Sequence, residues 1–385
     1  MSVLLTGADG YVGWPTALRL AEQIDERIIG VDNFARREWV AESGSVSATR
    51  IDEPEERFKT VENLSLVEGD LTDRDFVLQL LQTHEPETVL HVAAQPSAPY
   101  SAINGERALY TQQNNLSMNL NLLHGLDECG LDDTHFIETT TTGIYGAPQF
   151  PIPEGGVTVE REGGRDDIPF PAMGGSWYHI AKSFDSGNMR LAESEFEFPI
   201  SDVRTAIVYG SETAETSARE SPTRFDFDYY FGTVIHRFCA QAVTGYPITV
   251  YGKGEQRKPM VSLEDTVESL VRLVEQGQTG DGVDVYNQVT RPIAIVELAE
   301  TIAEVGDAFD LNAEVKHYEN PRNEDEEHKM EIENEAFLEL IGGQQQTLEE
   351  GVRDVLGTLV ERRDRIAAHE DRFLPGVLHD RSEER

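Results

Sequence analysis

Tyr178 and Lys182 stand four residues apart in Ser176-Trp177-Tyr178-His179-Ile180-Ala181-Lys182. That spacing is one helical turn, so a phenol and an ammonium share one face. The ammonium favours the phenolate by charge and hydrogen bonding, which lets a tyrosine take a proton near neutral pH. Tyr-x-x-x-Lys alone is frequent by chance. It gains meaning from the run Thr139-Thr140-Thr141-Thr142-Gly143 upstream, a hydroxyl-rich strand end that can bring Thr141 to the same substrate oxygen.

Removing a hydroxyl proton is half of an oxidation, and the start of the chain suggests the other half. Val3-Leu4-Leu5-Thr6 reads as a buried strand, followed by Gly7, Gly10 and Gly13 and a helix predicted over Pro15–Ile24. Glycines so spaced permit a tight turn, let backbone approach a pyrophosphate resting on helix N-terminal amides, and pack helix against strand. A second apolar strand, Arg27–Val31, ends in Asp32. A carboxylate there accepts both hydroxyls of an adenosine ribose and repels a 2′-phosphate, so the sequence predicts NAD rather than NADP.

The elements that must position these groups alternate. Apolar strands are predicted at Val3–Leu5, Arg27–Val31, Leu64–Val67, Thr88–Val92, His135–Glu138 and Ile200–Val208, with helical stretches between them. That order implies an α/β fold with a Rossmann-type, doubly wound parallel sheet. The expected organisation is a dinucleotide-binding domain over 1–210, to which the chain returns around 236–287, and a smaller lobe over 211–385 that mainly binds substrate. Segment 36–63 reads as a polar surface insertion, 147–175 as a loop rich in Gly, Pro and Glu, and Pro247–Tyr251 as a strand before a basic turn. Gly69-Asp70-Leu71 ends the third strand, where an Asp side chain and a Leu amide can meet an adenine edge. Ala93 and Ala94 end the fourth, small enough for a cofactor to lie against the sheet. The next helix carries Asn114, Asn115, Asn119 and Asn121, poor helix formers that suggest polar contacts worth keeping.

Composition narrows the classes. The formal charge is −39, from 71 acidic against 32 basic residues, and the acids are spread along the chain rather than collected in a tail. The lysines are Lys59, Lys182, Lys253, Lys258, Lys316 and Lys329, so arginine dominates the basic residues. This balance argues against nucleic acid or an anionic membrane as partner, and fits a high-salt cytoplasm that screens self-repulsion. Cys129 and Cys239 make no disulfide framework, the scattered histidines make no metal site, and no apolar run spans a bilayer.

Together these features resemble the extended short-chain dehydrogenase/reductase family, whose members modify nucleotide sugars with a retained NAD. Within it the closer resemblance is to the UDP-sulfoquinovose synthase group. It is carried by Gly10-Tyr11-Val12-Gly13-Trp14, Val31-Asp32-Asn33-Phe34-Ala35-Arg36-Arg37, Ser97-Ala98-Pro99-Tyr100-Ser101, Tyr110–Asn115, Tyr178-His179 with Lys182, Arg224–Cys239, Thr249–Gly254 and Asn320-Pro321-Arg322. The resemblance implies Thr141, Tyr178 and Lys182 at the reaction centre and a homodimer built on the helices holding Asn114 and Tyr178. Expected cofactor contacts are Gly7, Gly10, Tyr11, Gly13, Asp32, Asn33, Asp70, Leu71, Ala93, Ala94, Asn114, Tyr178 and Lys182. Expected substrate contacts are Tyr100, Thr141, His179, Arg237, Gln256, Lys258 and Arg322.

Two departures bear on the reaction. Gln95-Pro96 stands where the group has arginine after glutamine, and Ile144 where it has glutamate before the tyrosine of the strand-end turn. The arginine suits an anion such as sulfite, and the glutamate suits proton transfer. Three readings follow: a synthase joining sulfite to UDP-glucose through a 4-keto intermediate, a UDP-sugar 4-epimerase, or a noncatalytic NAD-binding regulator.

Overall fold

Alternation along the strands decides how the core is built. The computed structural model describes residues 2–170, 174–278, 282–319 and 330–374. Its central sheet contains β1 (Ser2–Thr6), β2 (Arg27–Asp32), β3 (Leu64–Glu68), β4 (Thr88–His91), β5 (His135–Thr141), β6 (Ile200–Thr205) and β7 (Val283–Gln288). They are all parallel, in the order β7-β6-β5-β4-β1-β2-β3. Side chains of successive strand residues point to opposite faces. Val3, Leu5, Ile28, Leu90 and Ile137 accordingly join one apolar cluster, with Ala17 and Leu20 of the Gly13–Gln23 helix and Val267 and Leu270 of the Leu263–Gln276 helix. Leu4, Ile29, Val89 and Phe136 join another, with Val77, Met118 and Met189 from three helices behind the sheet. Burial on both faces leaves the middles of β1, β2 and β4 apolar, whereas β6 buries Asp202 and Arg204 as a pair.

A third cluster lies outside the central sheet, where Phe225, Phe238, Ile248, Leu298, Ile302, Val352 and Val355 pack together. The strand predicted from Pro247 runs over Ile248–Tyr251 and pairs in parallel with Val315–Tyr318.

Three expectations are corrected. The run Ile200–Val208 is two strands: β6 ends at Thr205, Ala206 donates its N–H to Gln288 O at 3.1 Å, and Ile207–Tyr209 pairs instead with Met260–Ser262. The polar-rich stretch Ile200–Thr205 and the apolar stretch Ile207–Tyr209 thus lie in different sheets. Segment 36–63 is no solvated insertion, because Trp39, Val40, Ala48, Phe58 and Val61 are buried and Arg36, Arg37 and Arg57 are paired with acids elsewhere in the chain. The loop 147–175 carries an exposed hairpin, Gly156–Arg161 with Gly164–Pro169. Arg322 and the acidic run 323–327 lie outside the described residues.

Candidate active site

A cleft of about 1290 Å³ runs from the carboxyl ends of the central strands to residues 229–238 and 256–259. One end is formed by the glycine loop. Gly7 has φ +72°, and a Cβ there would lie 2.8 Å from Ala93 Cα. A Cβ on Gly13 would lie 2.0 Å from Gly7 O, so the helix starts against the turn only because neither residue has a side chain. Val12 caps that helix without a side-chain hydrogen bond, and Gly7, Gly10, Tyr11 and Gly13 line the cleft. The Tyr11 hydroxyl is committed elsewhere, donating to Gly210 O at 2.8 Å.

Asp32 ends β2 in the same wall, beside Asn33. Its Oδ2 accepts from Asp9 N at 2.9 Å and its Oδ1 from Phe34 N at 2.7 Å, which aims the carboxylate into the cleft. Burial and the charge of Asp9 outweigh those hydrogen bonds, so the group is pushed up to about 6. The two arginines after it are engaged. Arg36 donates to Asp226 through Nε and Nη2, at 3.0 and 2.7 Å, and lies over the Phe231 ring. Arg37 forks onto Asp9, whose other partner is the buried Arg57. Burial raises Asp226, but Arg224 and Arg36 more than offset that and hold it at about 2.

The asparagines of the Gly105–Glu128 helix each have tertiary work. Asn115 accepts from Gln95 N at 2.9 Å and fixes the loop after β4, while Asn121 donates to Leu71 O at 2.9 Å and fixes the loop after β3. Asn119 donates to Glu138 Oε2 on β5 at 2.7 Å. Asn114 faces the cleft with Ala93 and Ala94. Asp70 and Leu71 do not line it: Asp70 accepts from Thr72, and Leu71 is buried in the core behind the sheet.

Farther along the cleft, Thr141 closes β5, accepts from Gly143 N at 3.1 Å and hydrogen-bonds Tyr178. Tyr178 and His179 both line the cleft, with ring centroids 5.4 Å apart. Their helix, Trp177–Phe196, starts at Ser176, whose hydroxyl accepts from His179 N at 3.1 Å. Lys182 lies beneath, its side chain 2% exposed, with Nζ 2.7 Å from Glu138 Oε1 and 3.2 Å from Asp185 Oδ2. This corrects the simple pairing of phenol and ammonium. Burial raises the Tyr178 phenol, Lys182 lowers it, Asp185 and Glu138 raise it, Thr141 lowers it, and the outcome is above the ordinary value. Glu138 and Asp185 were missed in sequence; the signals were an acid inside an apolar strand and a second acid three residues after the lysine.

On the opposite wall, Arg237, Gln256, Arg257 and Lys258 face the cleft. Gln256 Oε1 is buried with no hydrogen-bond partner among the described residues, which suits a ligand donor. Tyr100 lies behind the wall, 2% exposed, packed on Trp39 and Phe231 with its hydroxyl 3.4 Å from Glu42. Of the two departures, Pro96 lines the cleft, whereas Ile144 is buried in an apolar cluster with Tyr145, Ile152, Phe170 and Met330.

The NAD dependent epimerase/dehydratase family model matches residues 3–288. The chain is 35% identical over 383 residues to the UDP-sulfoquinovose synthase of Sulfolobus acidocaldarius, covering 97% of this chain and 96% of that protein. It is likewise 35% identical over 371 residues to the chloroplastic UDP-sulfoquinovose synthase of Spinacia oleracea, covering 94% and 76%. Among solved structures, the UDP-glucose 4-epimerase of Thermotoga maritima, crystallised with UDP-glucose, is similar in fold, with a TM-score of 0.71 at 23% identity over 94% of this chain and 99% of that one.

Proposed function

Because the chain belongs to the NAD-dependent epimerase/dehydratase family, we propose that it is an enzyme that modifies a UDP-sugar with NAD in this cleft, most like a UDP-sulfoquinovose synthase. The observation that carries the reading is one continuous cleft with a ribose-type carboxylate at one end and Thr141 with Tyr178 at the other. Its volume exceeds the range typical of a single drug-sized ligand, so two nucleotides fit.

The residues present fit NAD. Gly7, Gly10 and Gly13 leave room for a pyrophosphate at the Gly13 amide that starts the helix, since Trp14 N–H already donates to Gly10 O at 3.2 Å and Pro15 has none, and Asp32 takes the ribose hydroxyls. Arg36 and Arg37 are held by Asp226 and Asp9, so neither is offered to a 2′-phosphate. NAD, when bound, supplies the acceptor for a hydride from the sugar C4 and the donor that returns it. Tyr178 then takes the C4 hydroxyl proton, with Thr141 orienting that oxygen, and gives the proton back at the end. On the synthase reading, the 4-keto sugar loses water across C5–C6, and sulfite adds at C6 of the resulting enone. His179, beside Tyr178, is placed to protonate the departing hydroxyl. Arg237, Gln256, Lys258 and, outside the described residues, Arg322 are assigned to the sugar nucleotide and its diphosphate.

A second reading, UDP-sugar 4-epimerase, draws on Pro96, which gives the cleft wall no cation for sulfite, and on Ile144, which gives no acid. Incubating the enzyme with UDP-glucose in molar salt, with and without labelled sulfite, separates the two. Label at C6 supports the synthase. UDP-galactose as sole product with or without sulfite overturns it, and no turnover of any UDP-sugar leaves only a noncatalytic NAD-binding protein.

The same reading takes 1–210, with the returning strand, as the NAD-binding domain and 211–385 as mainly the sugar-nucleotide lobe. It also includes a homodimer in a high-salt cytoplasm. Trp177, Phe184 and Leu191, seven residues apart on one helix side, are each more than half exposed, and Leu109 and Leu120 are exposed on the neighbouring helix. A second copy of the same helix pair would cover them as a four-helix bundle. Light scattering of Phe184→Glu should give a monomer where the wild type gives a dimer. No helix among the described residues is long and apolar enough to cross a membrane.

A further inference from the structure

We propose that Glu138 and Asp185 form a proton-sharing carboxyl pair beneath Lys182 that governs when Tyr178 ionises. The geometry is a single ammonium serving two acids. Lys182 Nζ is 2.7 Å from Glu138 Oε1 and 3.2 Å from Asp185 Oδ2, and both acidic side chains are 0% exposed. Glu138 Oε2 is filled by Asn119 at 2.7 Å. Both Asp185 oxygens are buried with no hydrogen-bond donor aligned on them among the described residues, which a proton held between the two carboxyls would satisfy.

Charge balance points the same way. With both acids ionised, the cluster would bury one net negative charge away from water, and close carboxylates do not both ionise. His91, the neighbour of Glu138 across the β4–β5 pairing, supplies no second cation, because burial pushes its ring down to about 4. Among the described residues, Tyr178 also faces the cluster. Burial drives Asp185 well above the ordinary carboxylate range, Lys182 opposes this, and Glu138 adds to it. The cluster therefore carries an ammonium, one carboxylate and one carboxylic acid, and is neutral as a whole.

The consequence at Tyr178 is that the carboxylate cancels much of the ammonium's pull on the phenol. Replacing either acid by its amide leaves the other free to ionise, so the net charge stays zero and Tyr178 moves little. Replacing both leaves the ammonium uncompensated, and the phenol ionises at lower pH. Glu138 and Asp185 are thus positioning residues, acting through Lys182. Their role in turnover rests on the proposed function; the shared proton does not.

The test uses the purified holoenzyme at pH 7. Infrared difference spectra in H2O and D2O should show a protonated-carboxyl C=O band in the wild type that is lost in both Glu138→Gln and Asp185→Asn. A wild type without the band, or a band kept in both variants, overturns the sharing. Tyr178 ionisation is then read from ultraviolet titration as the difference from Tyr178→Phe. The midpoint should hold in each single variant and fall by about one pH unit or more in the double variant. Equal, additive falls in the singles, or none in the double, overturn the control of Tyr178. If the double variant does not fold, the single variants still decide, since each must lose the band and hold the midpoint. Neither readout needs turnover, so an inactive enzyme would count against the proposed function and leave this result standing.

Discussion

Arg37 forks onto Asp9 through Nε at 2.7 Å and Nη2 at 3.0 Å, and the same carboxylate holds Arg57, which is buried against the Trp14 ring. One acid inside the glycine loop therefore anchors two arginines from the segment after β2. That segment forms the wall beside Asp32.

Asp9→Asn should destabilise the protein by about 3–5 kcal/mol, because it leaves the buried Arg57 without a compensating charge. The check is the urea midpoint, with the slope unchanged. A loss within about 0.5 kcal/mol would mean that Arg57 finds another anion.

Asp32 makes a pH-dependent prediction. Its folded value of about 6 lies above the ordinary 3.8, so the folded state holds a proton there that the unfolded chain has released. Stability of the nucleotide-free protein thus falls as pH rises from about 4 to 6, and the penalty is complete above 6, on the order of 2–3 kcal/mol. Asp32→Asn should therefore gain stability over the wild type at pH 8 and much less at pH 5, while accepting NADP more readily. Melting curves at the two pH values, and analysis of the nucleotide released by denaturation, test both halves. NADP in the wild-type protein would refute the cofactor assignment.

Tyr178→Phe should cut turnover of a UDP-sugar by about 10²–10⁴-fold while nucleotide stays bound, since only the proton-transfer group is lost. Thr141→Val should cost less, because it removes an orienting hydroxyl and leaves the base. Wild-type rates in Tyr178→Phe would assign the proton transfer to another group.

With a formal charge of −39, folding at low salt works against self-repulsion that molar salt screens. The unfolding midpoint should rise steeply between low and molar KCl. A flat profile would reject adaptation to high salt.

Most of the fold was legible because burial on both faces leaves the middles of β1, β2 and β4 apolar, and β1 to β5 were found within a few residues. The split at Ala206 was not, since the change of hydrogen-bonding partner falls between two strand-forming stretches with no Gly or Pro between them. Segment 36–63 misled for another reason: three of its arginines, Arg36, Arg37 and Arg57, are held by buried acids, and those partners, Asp9 and Asp226, lie far off in sequence. In the site, glycines and Asp32 were readable from spacing. Tyr178 and Lys182 were also readable, but the second and third partners of Lys182 come from β5 and its own helix, and only the fold brings Glu138 and Asp185 to one nitrogen.

The outermost strand, β7, comes from residues 283–288 and pairs along the whole of β6. During synthesis, the first 210 residues leave the ribosome with Ile200–Thr205 as an open edge, a template for pairing with another chain. At roughly 5–20 residues per second, that edge waits several seconds for its partner. The first half of this protein is therefore not a unit that matures by itself, and a nascent chain stopped at residue 210 should bind a holdase chaperone or aggregate rather than fold.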